Sequence, residues 1–205
     1  MLKKSTKILL SFLIILFVIF IILYLRNFFI LNNIANSIKN YSSTDNYYVK
    51  TISYEGTLTS VTNSYNIKEK YLTTIDYFIY TKDFLSKELY NDNETSITIL
   101  EKNGTKVARL EKDAFGEIRI VNIFADKNLF ALAFNNITTE KCNGKDCYSF
   151  NIDDIKYFID KETGLLVRLM NLSKDNSSIL DYYYEFDKVT DDNVKKPDIS
   201  QYQVI

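Results

Sequence analysis

The sequence predicts an α+β chain: an N-terminal transmembrane helix, then an antiparallel β-sheet with one or two helices laid on one face. Three observations predict it. The 18 residues Ile8–Leu25 are aliphatic or Phe, apart from Ser11 and Tyr24. From Tyr47 onward apolar residues recur at every second position, the period of a strand. Turn-forming pairs punctuate that pattern, with Asn103-Gly104 the preferred pair for a tight hairpin.

As a helix, Ile8–Leu25 is about 27 Å long, close to the ~30 Å hydrocarbon thickness of a bilayer. A helix can cross lipid because its backbone hydrogen bonds are made within the segment. Lys3, Lys4 and Lys7 precede the run, so the positive-inside bias places the N-terminus in the cytoplasm and the rest of the chain outside. A cleaved secretory signal has a shorter apolar region closely followed by small residues, whereas Ala35-Asn36-Ser37 lies well beyond Leu25. The reading is a retained signal-anchor, with residues 1–27 as cytoplasmic tail and span and 28–205 as the extracytoplasmic domain. The two cysteines, Cys142 and Cys147, are far from the run, which excludes N-terminal lipidation on cysteine.

Past Arg26, the residues Phe28, Leu31, Ile34, Ala35, Ile38 and Tyr41 recur at three- and four-residue spacing, one stripe of an amphipathic helix. That helix continues from the span and docks on the outer domain. Ser42-Ser43-Thr44-Asp45-Asn46 ends it, because these side chains compete for backbone hydrogen bonds. Tyr48, Ile52 and Tyr54, then Tyr65, Ile67 and Tyr71, alternate with polar neighbours. Thr95–Glu111 reads as a hairpin in which Leu100 faces Val107, Glu101 faces Lys106 and Ile99 faces Ala108. Further hairpins surround Cys142–Cys147 and Asp160–Gly164. Between them only Asp126–Phe134 reads as helical, with Leu129, Leu132 and Ala133 on one stripe. In the last strand Leu180, Tyr182, Tyr184 and Phe186 share a face.

Composition narrows the chemistry. The absence of His excludes imidazole catalysis and His-ligated zinc, and five Gly argue against a Gly-rich phosphate loop. The net charge of −1 hides an asymmetry: residues 1–40 carry five bases and no acid, leaving 20 bases against 26 acids in the remainder. An acidic body repels phosphate, so no nucleic-acid partner is expected. Asp153-Asp154 and Asp191-Asp192 are adjacent acids without calcium-loop spacing, and read as solvated surface. No enzyme, metal or cofactor is expected. Cys142 and Cys147, placed opposite each other with Gly144-Lys145 at the hairpin tip, are expected to form a structural disulfide; free thiols and a redox pair are the alternatives. The 16 Tyr and 14 Phe suit strands that either fill a core or line an enclosed space.

Tyr157-Phe158-Ile159-Asp160-Lys161-Glu162-Thr163-Gly164-Leu165-Leu166-Val167-Arg168 resembles the strand–turn–strand of the LolA-like lipoprotein-carrier superfamily. Tyr184–Val189, with Pro197-Asp198 and Tyr202, resembles that family's closing strand and tail. The resemblance spans about residues 28–205. It implies a curved half-barrel with helices on its concave side, enclosing a hydrophobic cavity that receives acyl chains. Arg109, Arg119 and Arg168 are not assignable to the family's lid-locking arginine. The Lys-, Asn- and Ile-rich composition suggests an AT-rich genome such as that of a Gram-positive bacterium. The expected function is a membrane-anchored extracytoplasmic module binding a lipid or other hydrophobic ligand, with Tyr148, Phe150, Ile152, Tyr182, Tyr184 and Phe186 as the cavity lining. The alternative is an envelope interaction domain with a self-filled core and a protein partner.

Overall fold

A computed structural model describes residues 4–78, 84–102, 104–111, 120–173 and 178–204; Lys3, Asn103, Arg119 and Lys174 fall outside them. Helix α1 runs unbroken from Lys4 to Ser42, so the apolar run and the amphipathic stripe form one rod. No Gly or Pro precedes Gly56 to interrupt it. At its end Ser42 and Ser43 donate back to the Lys39 and Asn40 carbonyls, and Lys39 in the last turn complements the helix dipole.

Among the described residues twelve strands follow: β1 (Asn46–Glu55), β2 (Thr57–Ile67), β3 (Lys70–Phe78), β4 (Phe84–Asn91), β5 (Ser96–Lys102), β6 (Thr105–Glu111), β7 (Thr138–Cys142), β8 (Lys145–Ile152), β9 (Ile155–Asp160), β10 (Leu166–Asn171), β11 (Ile179–Phe186) and β12 (Gln203–Val204). A short helix, α2 (Leu129–Leu132), precedes β7. The strands form one open sheet in the order β12-β6-β5-β4-β3-β2-β1-β11-β10-β9-β8-β7. It consists of two meanders, β1–β6 and β7–β11, joined where β1 pairs antiparallel with β11. Every described ladder is antiparallel except the last, because β12 adds to the β6 edge in parallel. The β5–β6 register matches the expectation, with Ile99 opposite Ala108, Leu100 opposite Val107 and Glu101 opposite Lys106.

The inner, concave face divides into two halves. Over β8–β11, Leu31, Ile34 and Ile38 of α1 are buried against Phe150, Ile152, Ile159 and Leu166. Over β1–β5 the inward residues are largely polar: Thr62, Ser64, Asn66, Thr73, Ser96 and Thr98 are all buried. Ser64 and Thr73 share a hydrogen bond of 2.8 Å. Period two alone does not say which face of a strand turns inward, and here it is Tyr47 and Val49 that are buried. Tyr48 lies on the outer face, its ring tilted against that of Tyr65 at 4.8 Å.

The tail after β11 wraps back over the sheet. Asn46 donates to the Val189 carbonyl and accepts from its N–H. A 3-10 turn, Asp191–Val194, then leads to Ile199 and Tyr202, which cover Tyr90, Ile97, Ile99 and Ala108 on the outer face.

Candidate functional site

β11 keeps β1 beside it from Ile179 to Phe186, but it pairs with β10 only through Ile179, Leu180 and Asp181. Two features pull β10 away. The β9–β10 register shifts between Leu166 and Arg168, and the hairpin closes on Gly164 at φ +70°. Leu165 and Leu166 therefore both turn inward, Leu165 against Tyr47 and Val49 and Leu166 against Ile159. Val167 turns outward to Phe158 and the cysteines. Where β10 leaves, a slot opens beside Tyr182–Phe186.

This slot is a cavity of about 330 Å³ lined on its inner side by Tyr41, Leu165, Tyr182, Tyr184 and Phe186, with Lys145 and Glu185 on its polar rim. Tyr182, Tyr184 and Phe186 stack in series at 6.3 and 6.4 Å, and Tyr41 of α1 lies 4.6 Å from Phe186. The Tyr184 hydroxyl is buried and has no hydrogen-bond partner among the described residues. Burial, with Tyr182 adding to it, pushes that phenol well above its ordinary value. A buried hydroxyl left unpaired costs about 1–3 kcal/mol, and this one is sealed from the solvent that reaches the slot.

The other three expected lining residues share the inner face but not the slot. Phe150 and Ile152 are buried under α1. Tyr148 is half-buried at the edge of the same cluster, with Lys161 5.0 Å above its ring. A larger hollow of about 650 Å³ lies by the β2–β3 turn, lined by Asp45, Ile67, Lys68, Glu69, Lys70, Asp92 and Asp191. Its charges of both signs, with Lys70 and Asp191 paired at 3.7 Å, describe a solvated surface. Sequence reasoning missed Tyr41 and Leu165 as slot residues. The uninterrupted Leu165-Leu166-Val167 run was the signal, because it breaks the alternation a regular strand requires.

The cysteine hairpin departs from the expected geometry. Its tip is Asn143-Gly144, both at positive φ (51° and 79°), which is the preferred two-residue turn. Cys142 therefore faces Lys145, and Cys147 faces Glu140. The two cysteines are diagonal neighbours, which in a hairpin lie about 7–8 Å apart, wider than the ~4.4–6.8 Å a disulfide spans. Both are free and buried, in place of the expected bond. Burial, with Cys142 adding to it, pushes the Cys147 thiol up to about 12, and burial also raises Cys142. Thiols held protonated are poor nucleophiles.

Around this hairpin the outer face carries a charge network built on two buried carboxylates, Asp160 and Asp181. Arg168 grips Asp181 with Nε to Oδ1 at 2.6 Å and Nη2 to Oδ2 at 2.8 Å. Asn143 donates to the same carboxylate at 3.1 Å and accepts from Arg168 at 2.8 Å. Nearby, Lys145 donates to Asp160 at 2.6 Å and the Glu162 N–H does so at 3.0 Å. Burial works to raise the Asp160 carboxyl, but Lys145 and Glu162 outweigh it and hold it below its ordinary value. A carboxyl depressed on folding stabilises the fold above its unfolded pKa, near 3.9. That contribution is lost as pH falls through the lower, folded value. Urea unfolding from pH 6 down to pH 2 is therefore expected to show a stability loss below about pH 4, and Lys145→Met is expected to flatten it. An unchanged acid limb in Lys145→Met would assign the loss to other carboxylates.

Among the described residues no group of three or more acids or cysteines is placed to hold a metal ion. No protein-family model and no curated protein matches this sequence. In overall fold the chain is distantly similar to solved structures that include the following three. MucB in complex with MucA(peri) has 10% identity and a TM-score of 0.40 over 85% of this chain and 61% of that one. The MucA/MucB complex of Pseudomonas aeruginosa has 8% identity and a TM-score of 0.37 over 80% and 61%. MucB itself has 9% identity and a TM-score of 0.38 over 85% and 64%. The chain thus spans less than two thirds of the length of each of these three structures.

Proposed function

We propose that this protein is a membrane-anchored extracytoplasmic binding module, with residues 1–27 as cytoplasmic tail and span and 28–205 as the outer domain. One observation carries the reading. The apolar run of α1 is exposed from Ile8 to Leu23, yet the same helix is buried to its core residues from Leu31 onward. A rod that is bare at one end and seated in a sheet at the other is suited to hold that sheet at a bilayer. The three bases before the run favour an inside N-terminus.

The ligand we propose is an acyl chain or similar apolar group in the slot, against Tyr182, Tyr184 and Phe186. Phe150, Ile152 and Tyr148 serve by seating α1, whose Tyr41 closes the slot. Burial would supply about 0.8 kcal/mol per CH₂. A self-filled envelope interaction domain is the competing reading.

The chain has no Trp, so Tyr184→Trp makes the slot its own reporter. In the full chain held in nanodiscs, brominated fatty acid is expected to quench the emission of this variant saturably, while a Tyr65→Trp reporter on the outer face stays bright. Equal emission from both reporters at saturating fatty acid would support the interaction domain instead.

A further inference from the structure

Residues 128–135 are fastened along one side of α1. Asn27, itself buried, donates its side-chain amide to the carbonyls of Ala133 and Asn135 at 3.2 and 2.9 Å. The Tyr24 hydroxyl donates to the Phe130 carbonyl at 3.4 Å. Phe130 stacks on Phe28 at 4.7 Å, and Phe134 lies 4.7 Å from Tyr24 and 6.0 Å from Phe20. Despite these contacts Phe130 and Phe134 remain 62% and 64% exposed. Two large bare rings on a turn that is otherwise well held ask for a cover the described residues do not provide.

Length arithmetic says what covers them. The run Ile8–Leu25 is about 27 Å long as a helix against ~30 Å of hydrocarbon, so a span has no residues to spare and lipid must reach the level of Leu25. Phe20 lies five residues before Leu25, or about 7.5 Å deeper. The Phe134 ring lies between Phe20 and Tyr24, the latter about 1.5 Å deeper than Leu25, so it sits below the level of Leu25. We infer that the α2 turn dips into the outer leaflet of the membrane that α1 crosses. Phe134 enters the acyl region, and Phe130 lies beside Phe28 at its upper boundary. The turn is thus a second, non-spanning membrane contact, and its partner is the bilayer rather than a protein or a soluble ligand.

This inference rests on reading Ile8–Leu25 as a span, and the test separates the two. Single-Trp versions of the full chain, Phe17→Trp, Phe134→Trp and Phe130→Trp, are placed in nanodiscs whose lipids carry bromine near either the glycerol end or the methyl end of the acyl chains. The Phe17→Trp indole, mid-run, is expected to be quenched most by the deep bromines. The Phe134→Trp indole is expected to be quenched by bromines near the glycerol end and shielded from aqueous acrylamide. Phe130→Trp is expected to show the same pattern more weakly. If the Phe17→Trp indole escapes both bromines, the span itself is wrong. If that indole is quenched and the one in Phe134→Trp is instead reached by acrylamide, the turn lies in water and the inference falls. Shielding of the Phe134→Trp indole from bromine and acrylamide alike would mean a protein covers it, a second copy or another chain, which also overturns the inference.

Discussion

Arg168→Ala is expected to destabilise the sheet by about 3–5 kcal/mol, the cost of stranding one member of a buried ion pair. The Asp181 side chain is only 5% exposed, against 27% for Arg168, so the carboxylate cannot turn to water when the guanidinium is gone. Of these two partners it would keep the Asn143 amide alone. Asn143 belongs to the tip of the β7–β8 hairpin, while Asp181 lies on β11. The network therefore ties the far end of one meander back to the strand that joins it to the other. Arg168→Lys retains the charge but not the two-pronged grip, and should fall between the wild type and Ala. Replacing both partners, as in Arg168→Met with Asp181→Leu, should recover most of the loss, because neither charge is then left buried alone. Urea unfolding followed by circular dichroism measures all three. A loss below about 1 kcal/mol for Arg168→Ala would place the pair with exposed surface bridges.

Gly164→Ala is expected to cost about 2–5 kcal/mol, from two separable sources. At φ +70° an L side chain carries a conformational penalty of roughly 1–2 kcal/mol. The added Cβ would also sit 2.6 Å from Ser37 Cβ and 2.8 Å from Ser37 Oγ. Overpacking of this kind adds about 1–3 kcal/mol. Ser37 Cβ is fixed to the backbone of α1, so a rotamer change cannot relieve the contact. Ser37→Gly, which itself weakens the helix by up to about 1 kcal/mol, should restore the steric part and leave the conformational part. Strict additivity in that double-mutant cycle would mean that α1 does not rest on the β9–β10 turn.

The elements readable from the sequence are those whose pattern is local. The stripe Leu31, Ile34, Ile38 is the face of α1 that is buried, because spacing of three and four leaves only one side of a helix to bury. The Ile99–Ala108 register follows from a two-residue turn that permits no other pairing. The same rule at Asn143-Gly144 places the cysteines diagonally, whereas a tip at Gly144-Lys145 would set them opposite. What stayed hidden depends on partners distant in sequence. Nothing in Arg168 or Asp181 announces the other, and Thr190–Tyr202 has no period from which to infer that it crosses the sheet and borders β6. The slot is an intermediate case. Its aromatic strip, Tyr182, Tyr184 and Phe186, is legible as alternation, but the gap beside it exists only because Leu165-Leu166-Val167 bends β10 away.

The absence of any break in α1 has a mechanical consequence. Its 39 residues make a strut about 58 Å long, with no swivel between the bare end and the end wedged in the sheet. With the bare end in a bilayer, the outer domain cannot roam on a tether; it inherits the inclination of the strut. Lipid thinner than the apolar run leans such a strut. The bearing of the sheet, and the direction in which its slot opens, would then be read from the thickness of the membrane beneath it.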